Sequence, residues 1–180
     1  MDTIVIGNGP SVFSKKTGDF INNVSTVIRI NKFYTKGFEQ YVGTKTDIWA
    51  VNMGYLFDNS ITWDKPQPQP KTVIFAPYSI TEYKNYTDCQ KIKLKSNEEL
   101  CDINVSKQMD KYYDKKRSIW PSTGLYCLMQ YNPCYIIGFD NFLSNQHHYG
   151  DDDSFFKHHS GNFEKEFVYN MVKEKKVIIL

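Results

Sequence analysis

The sequence has no run of about twenty apolar residues, so it encodes no transmembrane helix. It also lacks a basic segment leading into an apolar stretch of the secretory kind, opening instead on "TIVIGNG". The expectation is a soluble, cytoplasmic protein. Cysteine is sparse, and Cys89, Cys101, Cys127 and Cys134 show no C-x-x-C spacing. They read as free core thiols in a reducing compartment. Charge of one sign is missing too: 22 Lys and Arg face 20 Asp and Glu, for a net +2, so nothing electrostatic marks a nucleic-acid binder. "GNGPS" (7–11) lacks both the third glycine of G-x-G-x-x-G and the lysine of a P-loop. That speaks against a dinucleotide fingerprint or a triphosphate cradle; a single phosphate fits better. The triplets N-x-[ST] at Asn23, Asn85 and Asn104 matter only in a secreted chain and read as chance.

What is present is a chain of 180 residues, the size of one globular domain (1–180), rich in Tyr and Phe. Aromatic content of that kind suits a packed α/β core and surfaces for planar or sugar-like ligands. Short β-branched runs predict strands at 3–6, 26–31, 46–52 and 72–77, the last entered from the stiff connector "PQPQP". Pro10 suits the first position of a helix after the glycine turn. Polar, Lys-rich sequence from 79 to 118 predicts a helix over 96–113. A helix is expected to start near Ser122, followed by a buried strand in "CYIIGFD" (134–140). "SGNFEKEFVYNMVKEKK" predicts a helix with Phe163, Phe167 and Met171 on one face, acidic residues early and lysines late. "VIIL" closes the chain as a strand. Alternation of this kind predicts a single Rossmann-like α/β domain, a mainly parallel sheet with helices on both faces.

In such sheets ligands bind beyond the carboxyl ends of the strands. Asn8, Asn31, Asn52 and Asp140 fall there. Gly9 leaves the first turn bare for a ligand's close approach, with helix N-terminal amides facing its phosphate. Ser122, Thr123 and Gly124 in "PSTG" offer hydroxyls and free amides to a second anionic group; capping alone would also account for Ser122. All four histidines crowd into "HHYGDDDSFFKHHSGNFEKE" (147–166), around a run of three aspartates. The aspartates resemble the D-x-D motif with which many enzymes hold a divalent ion and a nucleotide diphosphate. They follow no strand, however, and read better as a loop that closes over a bound ligand.

Taken in order, "VIGNGPS", "IRINKFYTKGFEQYVGTKTDIW", "PSTGLYCLMQY…YIIGFD", "HHY" and "HSGNFE" resemble the motifs of the animal-type sialyltransferases, glycosyltransferase family twenty-nine. The first two are similar to that family's long motif and the third to its short motif. "HHY" is similar to its third motif, and His159 with Glu164 to its final H-x-x-x-x-E motif. Pieces also resemble the bacterial sialyltransferases of family forty-two. The resemblance leaves out roughly residues 54–117. It departs where the animal enzymes join long and short motifs by a disulfide, since Thr3 and Tyr131 stand at the matching places. The membrane anchor and stem of those enzymes are also missing from this sequence. Those departures imply a minimal bacterial or viral version, with a variant of the GT-A-like fold.

The resemblance implies inverting transfer of sialic acid from its cytidine monophosphate (CMP) ester to a glycan hydroxyl, without a cofactor or an obligatory metal. Asn8 and Asn31 would contact the nucleotide's phosphate and ribose, with Gly9 allowing close approach. Ser122, Thr123 and Gly124 would face the cytosine or the donor's carboxylate, with Asn52 and Asp140 as further contacts. His159 would be the general base, and His148, beside Tyr149 in the third motif, would steady the departing phosphate. Glu164 would support the last helix or orient the base, while His147 and His158 read as solvated or packing residues. Two alternatives stay open: a transferase of another nucleotide sugar, and a binding protein without turnover.

Overall fold

The computed structural model describes residues 1–57, 66, 69–77, 79, 84, 94–114, 119–140 and 160–180. Strands β1 (Thr3–Ile6), β2 (Thr26–Ile30), β3 (Ile48–Asn52), β4 (Thr72–Ala76), β5 (Glu98–Leu100), β6 (Cys134–Ile137) and β7 (Val177–Ile179) form one sheet in the order β5-β4-β3-β2-β1-β6-β7. Every pairing is parallel. The strands read as continuous apolar runs rather than alternating ones because a parallel sheet with helices on both sides buries both of its faces. Ile4, Val5, Val27 and Ile28 are accordingly without solvent exposure.

Alternation still decides which face each side chain enters. Val5, Ile28, Ile30, Ala50 and Ile74 join a cluster with Leu125, Leu128, Val168 and Met171. Ile4, Ile6 and Val27 join the opposite cluster with Val12, Ile21 and Val42. The first cluster is closed by helices α4 (Ile103–Asp110), α5 (Thr123–Tyr131) and α6 (Gly161–Lys173). The second lies under α1 (Gly18–Asn23) and α2 (Glu39–Val42), while α3 (Gly54–Phe57) follows β3. Each fully buried Ile or Leu contributes roughly 1.5–3 kcal/mol.

Three local expectations change. Pro10 does start a helix, but only the 3-10 segment Pro10–Ser14, with α1 following separately. The helix expected over 96–113 is instead the edge strand β5 followed by α4. "EEL" has no intrinsic strand pattern; it becomes a strand because the open edge of β4 offers it backbone partners. Asp102 then caps α4, its Oδ1 accepting from the backbone N–H of Asn104 (2.6 Å) and Val105 (3.3 Å). On α6 the deepest residues are Glu164, Val168 and Met171, whereas Phe163 and Phe167 lie at the margin against Tyr112. The apolar stripe therefore straddles the buried line, and a carboxylate occupies a core position.

Arg29, fully buried in β2, organises the turn that follows α2. Its Nε donates to Lys45 O (3.1 Å) and Thr46 Oγ1 (3.0 Å), its Nη2 donates to Val42 O (2.6 Å), and the guanidinium lies over the Phe33 ring. A buried cation is tolerated there because backbone oxygens converge on its fork of donors.

Candidate functional site

Because the strands are parallel, their carboxyl ends form one edge, and Asn52, Asn31, Asn8 and Asp140 stand in a row across the neighbouring strands β3, β2, β1 and β6. Strand order reverses between β1 and β6, the place where open α/β sheets carry their ligand crevice. At that reversal the backbones nearly touch. A Cβ on Gly7 would lie 2.2 Å from Gly138 O, and Gly138 has φ +75°. Gly7 N–H donates to Ile137 O (2.8 Å) and Gly9 N–H to Gly138 O (2.9 Å), extending the sheet beyond the strands.

The close approach that Gly9 permits is that of Asp140. A Cβ at Gly9 would meet Asp140 Cγ at 2.4 Å, and Asp140 Oδ2 accepts from the Ser11 N–H at 3.0 Å. The amide expected to face a phosphate thus holds this chain's own carboxylate.

Asn8 is 8% exposed and is spoken for at its nitrogen: Nδ2 donates to Ile30 O (2.8 Å) and Lys32 O (2.9 Å). Two carbonyl partners fix which end of the carboxamide is which. Its Oδ1 is enclosed and meets no donor among the described residues. Between those two carbonyls stands Asn31, at φ 50°, a left-handed conformation that asparagine adopts more readily than most side chains. Its N–H donates to Ala50 O (2.8 Å) and its carbonyl accepts from the Trp49 indole Nε1 (2.7 Å). Its Oδ1 accepts from the Asn52 N–H (3.1 Å), which leaves Nδ2 as the end without a partner among the described residues.

The start of α5 reaches the same edge. A Cβ on Gly124 would lie 2.9 Å from Phe139 and 3.4 Å from Ile30, so glycine is what allows the helix to sit against those strand ends. Ser122 caps α5, its Oγ accepting from the Leu125 N–H at 3.4 Å. The Ser122 hydroxyl donates to Glu164 Oε2 (2.9 Å) and its N–H to Glu164 Oε1 (3.0 Å). Glu164 is 3% exposed. Burial pushes its carboxyl up to about 7, against the opposing pull of the two Ser122 hydrogen bonds. Thr123 is buried in the first turn beside Gly124.

The structure therefore brings Asn8, Gly9, Asn31, Asn52, Ser122, Thr123, Gly124 and Asp140 to one edge of the sheet. His148, Tyr149 and His159 lie outside the described residues, as do His147, His158 and the aspartates at 151–153. Among the described residues no group of His, Cys, Asp and Glu is arranged to hold a metal, and no helix is long and apolar enough to cross a membrane. Three contributors are not legible as such in the sequence. Gly7 is visible there only as a turn residue, Gly138 only as part of a buried strand, and Trp49 only as an apolar strand residue. The available signal for Trp49 was that a buried indole N–H needs an acceptor.

Residues 2–84 match the family model described as glycosyltransferase family 29 (sialyltransferase). Over that segment, a little under half of its length, the chain is similar to glycosyltransferase family 29. Over 85 residues it is 34% identical to alpha-N-acetylgalactosaminide alpha-2,6-sialyltransferase 2 of Mus musculus, a match covering 44% of this chain and 23% of that relative. Over 52 residues it is 38% identical to a beta-1,6-galactosyltransferase of Arabidopsis thaliana, covering 29% of this chain and 13% of that one. The matched segment thus spans less than a quarter of either relative. In fold, the chain is similar to a crystal structure of a mammalian sialyltransferase in complex with Gal-beta-1-3GalNAc-ortho-nitrophenol, with TM-score 0.64 at 20% identity. That likeness covers 99% of this chain and 68% of the other. The family 29 segment holds β1, β2 and β3 with Asn8, Asn31 and Asn52, and the fold likeness extends to the half that carries Ser122, Asp140 and Glu164.

Proposed function

We propose that the protein is an inverting, metal-independent sialyltransferase that moves sialic acid from CMP-sialic acid to a glycan hydroxyl. The observation that carries this reading is the row of polar residues along the carboxyl ends of β3, β2, β1 and β6, at the strand-order reversal, in a chain similar to family 29 over residues 2–84. Asn31 Nδ2 is a donor and suits a phosphate oxygen. Asn8, with both N–H groups engaged, retains only an acceptor and suits a ribose hydroxyl. Thr123 and the amides at the start of α5 face the cytosine or the donor carboxylate, since the Ser122 hydroxyl proton is already given to Glu164.

In the reaction the acceptor oxygen forms a bond to the anomeric carbon as the bond from that carbon to the phosphate oxygen breaks. His159 takes the acceptor's proton, and His148 stabilises the phosphate of the departing CMP. A monophosphate leaving group carries less charge than a diphosphate, which supports a reaction without a metal. The likeness to a galactosyltransferase favours one alternative, a different nucleotide sugar on the same scaffold.

The test is transfer from CMP-sialic acid with EDTA present, for the wild type and for His159→Ala. Turnover in EDTA and a rate loss of roughly 10²- to 10⁴-fold in H159A, with donor binding retained, are expected. Strict dependence on added Mn²⁺, or undiminished turnover in H159A, would overturn the respective assignment.

A further inference from the structure

Asn31 is held on every side but one. Asn8 bridges the carbonyls on either side of it, Ala50 O takes its N–H, and Asn52 N–H fixes its side-chain oxygen. Its own carbonyl is held by the Trp49 indole at 2.7 Å, the shortest of these contacts. Trp49 is 3% exposed, lies on the interior strand β3 between β2 and β4, and is packed edge-on against Tyr55 with ring centroids 5.1 Å apart. Its own position is therefore set by the core. A left-handed residue at a strand end has other conformations within reach, because only a few hydrogen bonds outweigh its intrinsic preference for negative φ. The indole hydrogen bond is the one member of this set supplied by a side chain with no other evident need to be tryptophan, since Phe would pack in the same place.

We propose that Trp49 is a positioning residue for the nucleotide: its indole N–H locks the Asn31 peptide in the left-handed conformation that presents the Asn31 Nδ2 donor to the ligand. Trp49 touches no ligand itself. The inference rests on the nucleotide reading of the site and adds to it a residue that acts only through Asn31.

A double-mutant cycle read by CMP titration calorimetry, with melting temperatures measured in parallel, tests it. Trp49→Phe weakens CMP binding roughly 3- to 10-fold, the worth of one hydrogen bond, and raises the donor KM with little change in kcat. Asn31→Ala weakens binding at least as much. In the Asn31→Ala background, Trp49→Phe then has no further effect on CMP affinity. Unchanged CMP affinity in W49F, or the same loss in both backgrounds, would overturn the role, because a packing defect acts without regard to the Asn31 side chain. If W49F does not fold, benzothienylalanine placed at position 49 alone keeps the ring's size without the N–H, and the same comparison applies. A wild-type protein that does not bind CMP at all would sink the nucleotide reading, and this inference with it. CMP binding that is indifferent to the indole N–H would sink only this inference.

Discussion

Glu164 shows how one residue joins a pattern to an energy. The H-x-x-x-x-E spacing left it between helix support and orientation of the base. In the structure it ties the first turn of α6 to the cap of α5 through both carboxylate oxygens, from a buried position. Burial raises its carboxyl from the ordinary 4.5 to about 7, with the Ser122 hydrogen bonds opposing. The folded protein therefore holds this proton more tightly than the unfolded chain does. Across the window from about 4.5 to about 7, stability falls as pH rises, and above it the deficit is constant. A difference of that size corresponds to roughly 3 kcal/mol. Glu164→Gln keeps the shape of the protonated form and lacks the ionisation. Urea unfolding of both proteins at about pH 5 and pH 8 is expected to show the variant gaining on the wild type at the higher pH by an amount of that order. Parallel pH profiles would contradict it.

At the scale of elements, the reversal between β1 and β6 depends on Gly7 and Gly138. A Cβ on Gly7 would collide with Gly138 O, a backbone atom that cannot move aside without breaking the β1–β6 ladder. Gly7→Ala is expected to lose at least about 2 kcal/mol of unfolding free energy, seen as a lower denaturant midpoint. Strands β1 to β4, β6 and β7 were legible because buried parallel strands are apolar along their length. So was α5, from its serine cap and apolar spacing. β5 was not, because its three residues carry no strand signal and take their conformation from the neighbouring edge. The cap of α4 at Asp102 was legible in principle, and it fell inside the span read as one continuous helix.

At the scale of the whole molecule, β1 and its immediate neighbours are shielded on both flanks and both faces, while β5 and β7 are edges. Ile178 and Ile179 on β7 are 43% and 61% exposed. Hydrogen exchange followed by mass spectrometry is expected to find peptides covering 3–6 and 26–30 protected longest, and those covering 98–100 and 177–179 exchanging first. Early exchange in 3–6 would mean that the β1–β6 junction opens before the edges do.

The sequence by itself determined the kind of fold and the sheet edge along which polar residues are placed. Apolar runs ending in Asn8, Asn31, Asn52 and Asp140 give strands whose carboxyl ends carry polar groups, and the order of the motifs points to the family. Only the tertiary structure decided which atoms of those residues remain available. Asn8 gives its N–H groups to Ile30 and Lys32, Asp140 occupies the Ser11 amide, and Ser122 donates to Glu164, all partners distant in sequence. Residue type sets what a side chain can donate or accept, but packing decides how much of that capacity is already satisfied. What is left over, above all the Nδ2 donor of Asn31, is what the protein can offer a ligand.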